Sequence, residues 1–140
     1  MLAILSVVLA IAVPQFGDLE KRNLKLEAEN VADTLRLART AAIRETKEYR
    51  LIFDVTNGTY HTQRKIDLPR PNTWESVSQY TLNNVQFGSQ VSKDGFIYFT
   101  NRGTTSTPAT INLESDHYAV SLTINLGAGR VLVGEITKIN

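Results

Sequence analysis

Hydrophobic and polar positions follow three successive patterns along this 140-residue chain. Met1 to Pro14 is apolar or small throughout except for Ser6, and it carries no charged side chain. From about Asp18 to Lys47 the apolar positions recur every three or four residues. Leu24, Ala28, Val31, Leu35, Ala38 and Ala42 are spaced by 4, 3, 4, 3 and 4. That spacing puts them on one stripe of a helix, expected to pack on a sheet, with the alanines allowing close approach. Arg22, Lys25, Glu29, Arg36 and Arg44 fall on the other faces. The stretch has no Pro or Gly and is rich in Ala, Leu, Glu, Lys and Arg, residues that lose little on entering a helix. Joined to the apolar opening, it predicts a helix of roughly 50 residues, about 70 Å long. Pro14 and Gly17 are the points where a kink or local melting is expected.

From Tyr49 the period changes to two. Tyr49–Val55 reads as a strand and Thr59–Ile66 as its return. Asn57-Gly58 between them is a type I′ hairpin signal, because both central positions of that turn need positive φ. Leu68–Thr73 is expected to be a loop. Tyr80–Leu82 and Val85–Phe87 are short strand candidates around Asn83-Asn84, and Gly95–Thr100 is a further strand. A polar loop, Asn101–Pro108, leads to strands at Thr110–Leu113 and Tyr118–Leu126. Tyr118, Val120, Leu122, Ile124 and Leu126 alternate, so one face is buried. Gly127-Ala-Gly129 turns the chain into Arg130–Ile136. The expected fold class is α+β: a long N-terminal helix packed on an antiparallel sheet. Three segments follow: 1–16 apolar, 17–48 the amphipathic continuation, and 49–140 the sheet head.

Composition narrows the chemistry. Residues 1–50 carry eight basic and seven acidic side chains and the remainder seven of each, so no strong field steers the molecule toward an anionic partner. There is no cysteine, which excludes a disulfide framework, a thiolate metal site and a thiol nucleophile. His61 and His117 lie on separate predicted strands without metal-ligand spacing and read as surface residues. No nucleophile elbow, P-loop or dinucleotide fingerprint is present. The hairpin turn accounts for Asp54, Asn57 and Gly58 without calcium. Trp74 reads as a local cap beside the Pro-rich loop, and Arg102 and Arg130 read as solvated charges. The sequence points to no enzyme activity and no cofactor.

The apolar opening has three readings. A bilayer needs about 20 apolar residues, so this run fits the C-terminal part of a longer transmembrane segment. It also fits a signal peptide cleaved after Ala10-Ile11-Ala12, although no basic region precedes it. The third reading is a buried core helix, although nothing downstream is shaped to wrap a helix apolar all round.

The join Ala10-Ile-Ala-Val-Pro-Gln-Phe16 resembles the end of the N-terminal segment of type IV pilins and type II secretion pseudopilins. Ala32–Arg44 and Phe96-Ile-Tyr-Phe-Thr-Asn-Arg-Gly103 are similar to the helix and the strand-and-loop of the GspH/FimT branch. Tyr118–Leu126 with Gly129-Arg-Val131 is similar to its closing hairpin. The prepilin leader, the glycine before its cleavage site and the glutamate soon after it have no counterpart here. Counted back from Pro14, the chain begins about eight residues inside the usual mature segment, with Met1 at an internal apolar position.

The resemblance implies a minor pilin or pseudopilin of a type IV pilus or type II secretion system, helping to initiate or cap a filament. Leu2, Ile4, Leu5, Val7, Val8, Leu9, Ile11, Val13 and Pro14 would form the membrane and filament-core helix. The implied location is the bacterial inner membrane, single-pass with the head in the periplasm, and later the filament. The implied partners are sister pilins or pseudopilins, the inner-membrane assembly platform and membrane lipid, with prepilin processing and N-methylation. One alternative is a FimT-like minor pilin that takes up DNA, with nucleic acid as partner and Arg130 and Lys138 as contacts. Another is a secreted soluble binding domain.

Overall fold

The computed structural model describes residues 2–68, 70–88, 95–105, 109–125 and 130–139, with residues 2–16 as backbone only. Among the described residues one helix, α1 (Leu2–Glu45), is followed by nine strands. These are β1 (Tyr49–Asp54), β2 (Thr59–Ile66), β3 (Thr73–Thr81), β4 (Gln86–Phe87), β5 (Phe96–Phe99), β6 (Ala109–Glu114), β7 (Tyr118–Ile124), β8 (Val131–Val133) and β9 (Thr137–Lys138).

The helix is assigned without a break through Pro14 and Gly17, so the expected local melting is absent. Its 44 residues span about 66 Å at 1.5 Å each. It stops two residues before Lys47, where Thr46 takes φ 54° and the Lys47 N–H reaches back to the Ala42 carbonyl at 3.1 Å. This left-handed residue closes the last turn by satisfying a terminal carbonyl.

The strands form two antiparallel sheets where one was expected. The first has the order β3-β2-β1-β5 and the second β4-β6-β7-β8, with β9 also pairing on β7. The helix lies across both, touching β1 and β5 of the first and β6, β7 and β8 of the second. A single apolar cluster fills the space between. The helix contributes Leu24, Ala28, Val31, Ala32, Leu35, Ala38 and Ala42, all buried. The first sheet contributes Leu51, Phe53, Tyr60, Ile97 and Phe99, and the second Ile111, Leu113, Val120, Leu122, Ile124 and Val131.

The β1–β2 connection differs from a two-residue turn. Asp54 pairs with Thr59, so four residues intervene. Only Gly58 takes positive φ, at 66°. The Gly58 N–H donates to the Asp54 carbonyl at 2.9 Å, and the Asp54 carboxylate accepts from the Asn57 backbone at 3.0 Å and its amide at 2.7 Å. The aspartate stabilises a wider loop in which Asn57 need not adopt the strained conformation. Further on, β3 begins at Thr73 rather than Tyr80, and the predicted Arg130–Ile136 strand is only β8, with β9 beyond it. Leu126, the Gly127–Gly129 turn and Pro108 lie outside the described residues.

Candidate assembly surface

The helix is fixed to the head along its length by polar ties as well as by the core. Near its lower end, Glu20 Oε1 accepts from Ser115 Oγ and from the His117 backbone N–H, each at 2.7 Å. Glu20 Oε2 lies 3.1 Å from His117 Nδ1. Ser115 hydroxyl donation, followed by the weaker His117 contributions and opposed by partial desolvation, holds the Glu20 carboxyl below the usual glutamate range. The β6–β7 turn that presents these donors is closed by the Ser115 N–H to the Tyr118 carbonyl. Lys21 stands 5.0 Å from the centre of the Tyr118 ring. His117, read from the sequence as a surface residue, is exposed but partnered.

Higher up, Asn23 Nδ2 donates to the Asn83 carbonyl, Arg36 to the Val131 carbonyl and Arg39 Nε to the Gly103 carbonyl, at 2.8, 3.2 and 2.8 Å. Gly103 has φ 80°, and a Cβ there would come within 2.5 Å of Ile43 Cδ1. A side chain at that position would be strained by the left-handed backbone, and the Ile43 side chain would have to shift to admit it. At the top, Arg64 of β2 bridges Glu45 of the helix at 2.9 Å and Glu75 of β3, and Tyr49 donates to Glu45. The two carboxylates push the Arg64 guanidinium up, Glu75 most strongly.

The side of α1 turned from the core is not uniformly polar. Leu19, Leu26 and Leu37 are 56, 58 and 67% exposed. At 100° per residue, steps of seven and eleven return to within about 20° of the same direction. The three leucines therefore form a second apolar line, roughly opposite Leu24, Ala28, Val31 and Leu35. Leu37 opens onto a groove of about 430 Å³ shared with Ala41, Val77 and Tyr80. Val77 sits where the register between β2 and β3 shifts, opposite the Thr62/Gln63 step. The extra residue of a bulge is left unpaired, and Val77 is exposed there.

The remaining site residues do not converge. Arg130 precedes β8 and its carbonyl accepts the Asn125 N–H, while Lys138 on β9 pairs with Tyr118. The length of β7 separates them, about 23 Å at 3.3 Å per residue, so they do not form one patch. Trp74 is not a cap on the Pro-rich loop. It lies on β3, with the Arg50 guanidinium 4.2 Å from its ring centre. Among the described residues no cluster of three or more His, Cys, Asp or Glu could hold a metal ion, and no helix is long and apolar enough to cross a membrane. The apolar positions from Leu2 to Pro14 lie on the helical backbone of α1, and their side chains lie outside the described residues.

Known proteins share this fold. The family model described as type II transport protein GspH matches residues 27–129. The fold is similar to the minor pseudopilin EpsH from the type 2 secretion system of Vibrio cholerae. The TM-score is 0.66 at 14% identity, covering 84% of this chain and 99% of that one. It is also similar to the type IV minor pilin FimU of Pseudomonas aeruginosa. Here the TM-score is 0.63 at 16% identity, covering 83% and 91%. No curated protein matches the chain. With its helix laid across two antiparallel sheets, and with a family model covering more than half its length, the chain belongs to the GspH family of pseudopilins and minor pilins.

Proposed function

We propose that this chain is a minor subunit of a type IV pilus or type II secretion pseudopilus that helps initiate or cap the filament. The observation that carries the proposal is the line Leu19, Leu26 and Leu37, exposed on a helix that the head holds rigidly by its opposite face. Apolar side chains in that position favour packing against further helices. Sister pilins or pseudopilins supply such helices. Segment 17–48 then serves both as the spine of the head, 49–140, and as a contact strip. Residues 2–16 extend the same helix as an apolar segment, stored in the inner membrane beside the assembly platform and later buried in the filament. The head faces the periplasm before assembly.

The test places a photo-crosslinking amino acid at Leu26 of the whole chain, in cells that assemble the filament. Crosslinks to sister subunits are expected. Replacing Leu19, Leu26 and Leu37 together by Ser should abolish incorporation without lowering the head's melting temperature. Wild-type incorporation of that variant overturns the proposal.

A further inference from the structure

The outer face of the first sheet carries a side-chain cluster that neither the helix nor the second sheet contacts. Along β1, Tyr49, Leu51 and Phe53 point into the core, so Arg50 and Ile52 point outward. Register pairing sets Gln63 beside Arg50 on one side and Tyr98 on the other. The Arg50 guanidinium lies 4.2 Å from the ring centre of Trp74 and 5.5 Å from that of Phe96. Its Nε donates to Gln63 Oε1 at 2.8 Å. Trp74 reaches over from β3 and meets Tyr98 nearly edge-on, ring centres 6.2 Å apart. Arg50, Trp74, Phe96 and Tyr98 are all partly exposed.

Among the described residues this cation has no counter-charge. No ion pair joins Arg50 to a carboxylate of the described residues, unlike Arg36, Arg64 and Lys65, which are all paired. Glu48, a carboxylate near this face, is paired with Lys65 at 2.7 Å. Partial burial lowers the Arg50 guanidinium from its usual range, yet arginine stays charged in proteins. The aromatic rings occupy its faces and Gln63 occupies Nε. Its Nη1 and Nη2 meet no acceptor among the described residues, and neither is sealed from solvent. That free edge matches a carboxylate, which accepts two parallel N–H donors. Trp, Tyr and Arg in one cluster are also the residue types that dominate binding at protein interfaces.

We propose that this face is a docking site for an acidic segment of a partner protein. Arg50 Nη1 and Nη2 donate to a Glu or Asp carboxylate, and Trp74, Phe96 and Tyr98 form the apolar surround. Nucleic acid fits the face less well. A phosphate backbone needs several cations, Lys65 is already paired, and the Trp74 ring on which a base would stack holds the guanidinium. The face is separate from the leucine line of α1, so this proposal and the filament reading fail independently.

The test titrates the whole ¹⁵N-labelled chain with a short glutamate-rich peptide, with the same peptide carrying Gln for every Glu, and with single-stranded oligothymidine. The acidic peptide should saturably shift the Arg50 Nε–H and Trp74 indole signals, more weakly as salt rises. The Gln peptide should leave both unmoved. Arg50→Lys keeps the charge but loses the planar fork, and should weaken binding on the order of ten-fold while the remaining amide spectrum is preserved. Arg50→Gln should abolish binding. If Arg50→Gln unfolds, the Arg50→Lys comparison decides. Unchanged affinity in Arg50→Lys, equal binding of the Gln peptide, shifts confined to other surfaces, or preferential binding of oligothymidine each overturns the proposal.

Discussion

Glu20 accepts the backbone N–H of His117 at 2.7 Å, across 97 positions of the chain. The contact fastens the lower end of the head-bound helix to the β6–β7 turn. It is also a titratable fastening, because the same carboxylate oxygen accepts from Ser115. The folded carboxyl is held below the ordinary glutamate range, chiefly by Ser115. A depressed folded pKa means that the stabilisation is present above the unfolded value and is lost as pH falls through the folded one. Hydrogen-exchange protection of residues 17–24 should therefore drop in acid. Glu20→Gln should show lower protection at neutral pH and no acid step, and persistence of the step in that variant excludes Glu20 as its source.

Glu27 has the opposite sign. It is buried on α1, and desolvation raises its carboxyl above the usual range, offset only in part by a hydrogen bond from the Asn83 backbone. A raised folded pKa means that the folded state binds the proton more tightly, so ionisation of Glu27 destabilises the fold as pH rises. Glu27→Gln keeps an acceptor for Asn83 without the charge. Its melting temperature should exceed wild type at pH 7, and the two should converge at pH 4. A lower melting temperature at pH 7 counts against this account.

Leu35 and Leu37 are two positions apart and should behave differently. Leu35 is fully buried between the sheets, while Leu37 is 67% exposed. Leu35→Ala removes packed atoms and leaves a cavity, costing about 2–5 kcal/mol. Leu37→Ala should stay within about 0.5 kcal/mol of wild type, as for surface substitutions away from special features. Urea unfolding of both variants measures the contrast. Equal costs would mean that α1 is rotated relative to the sheets.

The sequence alone determined the elements whose signal is local. The helix is legible because Leu24 to Ala42 repeat with its period, and residues 18–47 contain nothing that breaks it. Strand β7 is legible because Val120, Leu122 and Ile124 alternate with Ser121 and Thr123, one set facing the core. The turn at Gly58 is legible because few other residues tolerate its φ. Strand β3 is not legible from Thr73 to Gln79: it lies at a sheet edge with no fully buried residue, so no alternation marks it. Its pairing with β2 forms it instead.

The split into two sheets was likewise decided in three dimensions, since strand periodicity records which face is buried but not which strand is the neighbour. The same limit hid the candidate surfaces. Leu19, Leu26 and Leu37 could each have been core residues by composition, and only the docking of α1 through Leu24 and Leu35 left them outside. Arg50 met Trp74 and Phe96 because β1, β3 and β5 lie in one sheet, and Glu20 met His117 because the helix crosses the second. Contacts between residues far apart in the chain depend on the packed arrangement of the elements, which short-range sequence patterns do not encode.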